Sequence, residues 1–107
     1  PGNASSIPNT SKVEDFELKS GFLLNSIAPN PISINSKLTF SLRNQGSLIL
    51  EIIDINGKTF DQFSDNFLVA GDYTVPIRLN KIHNSGSYFI RINFNGYSHF
   101  EKIIVIK

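Results

Sequence analysis

The stretch Ser87–Lys107, SYFIRINFNGYSHFEKIIVIK, decides the fold. Its first residues alternate: Tyr88, Ile90, Ile92 and Phe94 fall on one face, Arg91 and Asn93 on the other. A period of two is the pattern of a β-strand with one buried and one wet side. Asn95-Gly96 follows at once. Asn-Gly is the strongest short hairpin signal, because a type I′ turn needs two residues that tolerate positive φ. Tyr97 to Ile106 then reads as the returning strand. It closes on Ile103-Ile104-Val105-Ile106-Lys107, apolar and β-branched, where chain ends are usually polar and frayed. That reads as the end of a strand locked into a sheet.

The same pattern runs backward from there. Lys37 to Arg43 alternates strictly, with Leu38, Phe40 and Leu42 on one face. Ser47 to Ile55 is apolar at most positions, which predicts a central strand covered on both faces. Asn56-Gly57 predicts another type I′ hairpin, with Lys58–Phe63 as the partner strand and Phe60 in the core. Asp54 should accept hydrogen bonds from that hairpin's backbone N–H groups. Ser64–Asn66 reads as a polar turn and Phe67–Val69 as a short strand. Ala70-Gly71-Asp72 is a further turn, and Tyr73–Leu79 a strand that Pro76 places at an edge. Asn80–Gly86 is a loop. Before these, Phe22 to Ile27 leads into Pro29-Asn30-Pro31, which makes a rigid extended turn. With about seven strands, turn signals between them and no amphipathic helix, the expectation is all-β: an immunoglobulin-like antiparallel β-sandwich, with a barrel as the alternative. Residues 1–20 are different, polar with few apolar positions, and read as a linker or the end of a preceding region, with one weak strand at Phe16–Leu18. Residues 21–107 read as one folded domain.

Composition narrows the chemistry. The chain has no cysteine, so disulfides, thiolate metal sites and a cysteine nucleophile are excluded. It has no methionine, which reads as a fragment of a longer product. The net charge is +1 and basic residues do not cluster, which argues against nucleic acid and against direct membrane insertion. No apolar run approaches the ~20 residues that span a bilayer.

The candidate chemical motifs are weak. His83 and His99 lack partners at metal-ligand spacing and read as two surface histidines. Asp54-Ile55-Asn56-Gly57 places its glycine too early for a calcium loop. Asp61, Asp65 and Asp72 sit beside turns and read as solvated rather than as a catalytic pair. Ser85-Gly86-Ser87 has no local base. Tyr73, Tyr88 and Tyr97 offer a sugar-stacking platform only if exposed, and alternation sends Tyr88 inward. The expectation is a domain that is not an enzyme and uses no metal or cofactor.

The order of motifs goes further. LLNSIAPNP, KLTFSL, LEIIDINGK, FLVAGDYTV, NSGSYFIRI and a final KIIVIK occur in that order from Phe22 to Lys107. In this the chain resembles the C-terminal sorting domain of type IX secretion cargo from Bacteroidetes, type A subgroup. Ile53 and Val75-Pro76-Ile77 depart from the family's usual aromatic and Trp-Asp positions. The resemblance implies a domain that directs its cargo across the outer membrane through the type IX translocon. A sortase-like peptidase at the surface then removes it in the linker. Its partners would be the translocon, that peptidase and an upstream cargo domain in the same chain. Its path would run through the periplasm to the cell surface or the extracellular space. The recognition signal would be Lys102, Ile103, Ile104, Val105, Ile106 and Lys107. Pro29, Asn30, Pro31, Asp54, Gly57, Gly71, Gly86 and Tyr88 would be structural motif positions. An adhesive or carbohydrate-binding sandwich and an inert immunoglobulin-like spacer are the competing readings.

Overall fold

A computed structural model describes residues 11–107. One helix, α1 (Ser11–Ser20), precedes seven strands: β1 (Phe22–Ala28), β2 (Lys37–Leu42), β3 (Gly46–Ile53), β4 (Thr59–Leu68), β5 (Gly71–Pro76), β6 (Gly86–Phe94) and β7 (Tyr97–Val105). They form two antiparallel sheets, β1-β2-β5 and β4-β3-β6-β7, packed as a sandwich. The fold class is as expected.

Alternation sets the core. Leu38, Phe40 and Leu42 of β2 face Leu48, Leu50 and Ile52 of β3 and Tyr88, Ile90, Ile92 and Phe94 of β6, all buried. Phe22 stacks on Phe40 at 4.9 Å and Phe40 on Tyr73 at 5.4 Å, a ladder across the smaller sheet. Such pairs add about 0.5–1.5 kcal/mol each beyond their buried area. Pro76 is the last residue of β5, an edge strand, a position where proline is tolerated.

Several expectations need correction. β3 is central in its sheet, but only its Leu48–Ile52 side is fully covered; Ile49 and Glu51 on the other side are half-buried, Glu51 paired with Arg91 at 3.5 Å. Of Asn56-Gly57, only Gly57 takes positive φ, 87°. The turn therefore centres on Ile55-Asn56, braced by Asp54, whose Oδ1 accepts from Asn56 N and Lys58 N at 2.8 and 2.9 Å. The later pair does behave as type I′, with Asn95 at φ 52° and Gly96 at 90°. Ser64–Asn66 is not a turn: β4 runs through it, with a register shift opposite Gly46–Leu48. β5 ends at Pro76 rather than continuing to Leu79.

The weak strand expected at Phe16–Leu18 is a helix. Val13, Phe16 and Ser20 recur at helical spacing and are its covered positions. Glu14 in the first turn and Lys19 in the last complement the helix dipole. Gly21, at φ 81°, ends it by donating its N–H to Glu17 O at 3.0 Å. Phe16 is buried between β1 and β7, 5.7 Å from Phe22 and 5.3 Å from the His99 ring. α1 thus closes one flank of the sandwich. Residues 1–10 of the expected linker lie outside the described residues.

Candidate recognition surface

β7 is an edge strand, and its two faces have different fates. Ile103 and Val105 are fully buried, while Ile104 and Ile106 are exposed, Ile106 at 63%. The apolar closing stretch is therefore half core and half display. Among the described residues, the only backbone pairing of β7 beyond β6 is a parallel bridge between Val105 and Ile32, in which Ile32 N donates to Ile104 O at 2.7 Å. That bridge draws the Pro29-Asn30-Pro31 turn, exposed throughout, against the end of the chain.

Ser36 holds the turn in place. It is buried, and its hydroxyl donates to Pro29 O at 2.7 Å and accepts from Ser33 N at 2.8 Å. Its carbonyl accepts from Ile77 N at 3.0 Å, tying the turn to the β5–β6 connection. Nothing in the alternation pattern singles out Ser36. The signal was present as Ser33-x-x-Ser36, a spacing that lets a side-chain oxygen stand in for a backbone partner in a tight turn.

The β5–β6 connection, residues 77–85, is anchored inward by Ile77, Leu79 and Ile82. Tyr88 is buried as expected, sits edge-on to Phe60 at 5.6 Å, and donates its hydroxyl to Asn84 O at 2.7 Å. The neighbouring Ser85 Oγ accepts from Lys107 N at 2.7 Å and donates to Lys107 O at 3.2 Å. Lys107 Nζ reaches Leu79 O at 3.2 Å. Lys107 is thus fastened along its length to the connection that Tyr88 holds. Gly86 begins β6 at φ 153°, beyond the reach of most side-chain-bearing residues, and no atom crowds the place of an added Cβ.

An open groove runs between these segments, lined by Ser33, Ile34, Arg78, Asn80, Ile106 and Lys107 among others. Ile34 on its rim is 85% exposed. Large aliphatic side chains held in water by a satisfied backbone frame are what a partner surface covers. The Asp54–Gly57 hairpin lies at the same end of the sandwich, since Ile53 pairs with both Thr59 and Phe89.

Not every motif position gathers here. Gly71 lies at the opposite end, opposite Leu42. Lys102 pairs with Phe89 on the outer face of the larger sheet, apart from Lys107. His83 is exposed, as expected. His99 is not a surface histidine: its side chain is 14% exposed, stacked on Phe16 and bonded to Glu101 at 2.9 Å. Among the described residues no group of His, Cys, Asp and Glu could hold a metal ion, and no helix is long and apolar enough to cross a membrane.

The model of one protein family, described as the secretion system C-terminal sorting domain, matches residues 26–107, from within β1 to the last residue of the sequence. No curated protein matches the chain.

Proposed function

We propose that this chain, which belongs to the C-terminal sorting domain family of type IX secretion, is read by the outer-membrane translocon at the groove between Ile34 and Ile106. Membership implies export to the cell surface or the extracellular space. The finer steps are our reading. The domain passes through the periplasm as a folded ligand at the end of an upstream cargo. The translocon recognises it, and a sortase-like peptidase detaches it by a cut in or near residues 1–20. It acts as ligand and substrate, not as an enzyme.

The observation that supports this reading is the split of the closing stretch. Ile103 and Val105 fix the strand, so Ile104, Ile106 and Lys107 are held out on a rigid frame together with Ile34. A pre-ordered display lowers the entropy a partner must remove on binding.

The test is site-specific photo-crosslinking in cells with a type IX system. A benzophenone amino acid replaces Ile34, Ile106 or, as an exposed control at the opposite end of the sandwich, Leu18. The Ile34 and Ile106 positions should capture an outer-membrane translocon subunit and Leu18 should not. Equal capture from all three, or from Leu18 alone, would put recognition elsewhere.

A further inference from the structure

We infer that the outer edge of β4 is a docking site for an extended polypeptide segment carrying two Lys or Arg residues four positions apart with an apolar residue midway between them. The inference stands apart from the sorting function. The sandwich has one closed flank and one open one. On the closed flank β7 is covered by α1 and by the Ile32 bridge. On the open flank lie the edge strands β4 and β5, and among the described residues no strand pairs with the outer side of either. β4 is the longest strand, with ten residues. Beside it a slot opens between the sheets, lined by Leu50, Ile52, Phe63, Val75 and Ile77 among others. Phe63, Phe67 and Val69 are exposed along the same edge. A long edge strand beside an apolar slot is the arrangement that accepts an added strand, with backbone hydrogen bonds giving affinity and alternate side chains giving choice. β5 ends on Pro76, which has no N–H to offer, so β4 is the pairing edge.

The charges on β4 itself choose the occupant. β4 carries Asp61 and Asp65 and no Lys or Arg. Arg78 borders Asp61 and Phe63 from the β5 side, and Lys58 and Lys81 border Asp61 at the strand's start, so Asp65 is the carboxylate that lies apart from these cations. Asp61 pairs with Ile52 and Asp65 with Leu48, which puts both carboxylates on the slot side of β4, flanking Phe63. Asp65 also accepts from Phe67 N at 3.0 Å. Antiparallel pairing of two copies about Phe63 would set Asp61 opposite Asp65 twice, and like charges directly opposite repel. A second copy is therefore a poor occupant. An incoming strand with a basic residue opposite Asp61, an apolar one opposite Phe63 and a basic one opposite Asp65 satisfies every position.

The experiment titrates the full chain with blocked peptides TKTVTKT and TETVTET, following backbone amide shifts by NMR. TKTVTKT should shift β4 and slot residues saturably. TETVTET should bind about fivefold weaker or less tightly still, the scale of two partly exposed ion pairs. Asp61→Asn with Asp65→Asn should weaken TKTVTKT about fivefold, and the difference should fade in high salt. Equal binding of the two peptides, or shifts along another edge, would overturn the inference. So would a double variant that self-associates in sedimentation while its peptide affinity is unchanged; the aspartates would then serve to block edge pairing.

Discussion

Tyr88 donates its hydroxyl to the carbonyl of Asn84 at 2.7 Å, one residue from the serine that holds Lys107. A buried core residue thereby sets the position of an exposed one. Tyr88→Phe keeps the ring and its edge-on contact with Phe60 but leaves the Asn84 carbonyl without this donor. The expected cost is about 1 kcal/mol, a fall in Tm of about 4–8 °C for a domain of this size. Thermal unfolding measures it. Faster amide exchange at Ser85 and Lys107 should accompany the loss, and exchange unchanged there would mean that Tyr88 does not position the end of the chain.

Ser36→Ala removes a hydroxyl that is both donor and acceptor and leaves Pro29 O and Ser33 N unmatched. The loss should be about 1–3 kcal/mol by denaturant unfolding. Ser36→Thr retains the oxygen and should recover part of it if the methyl is accommodated. A neutral Ser36→Ala would show that water replaces the hydroxyl in full.

The closing stretch separates stability from recognition. Ile103→Ala opens space in a filled core and should cost about 2–5 kcal/mol. Ile106→Ser changes an exposed side chain and should stay within about 0.5 kcal/mol of the parent. Export should nevertheless fall with Ile106→Ser. An Ile106→Ser protein exported as well as the parent would remove this side chain from the recognised surface.

Phe16→Ala tests the helix. Phe16 is the helix's large core residue, and its truncation should cost about 3–5 kcal/mol if the helix stays docked to its site. Undocking caps the loss below that range, since the strands keep their own core. The readouts are helical signal by circular dichroism and the chemical shifts of His99, which loses its stacking partner. Export should persist, because the family match begins at residue 26, beyond the helix. Abolished export with a folded sandwich would make the helix part of the signal.

Much of this fold was legible because a half-buried strand writes its face into the sequence. Leu38-x-Phe40-x-Leu42 and Tyr88-x-Ile90-x-Ile92-x-Phe94 each named their buried residues correctly. In the sequence β4 reads as two pieces because an exposed edge strand needs no alternation, and Ser64–Asn66 carries turn residues within a continuous ladder. The helix is hard to read from sequence because Phe16 is its one large, buried apolar residue, and its ring partners Phe22 and His99, like the Leu24 N–H that donates to Glu17, are joined to it only in space. Half of the candidate site was legible as motifs. The Pro29–Pro31 turn, Tyr88 and the closing stretch could be named singly. Their union through Ser36, Ser85 and the Ile32–Val105 bridge is a matter of long-range pairing, which local patterns do not carry.

The central claim is that this domain is a self-contained address, and the measurement that tests it most directly is export of a foreign reporter. Residues 1–107 are fused behind a signal peptide and a fluorescent protein in a host with a type IX system and in its translocon-deficient derivative. In the parent strain the reporter should reach the cell surface or the medium, with a mass showing a cut in or near residues 1–20. In the deficient strain the intact fusion should stay in the periplasm. A folded fusion that remains periplasmic in both strains would contradict the claim.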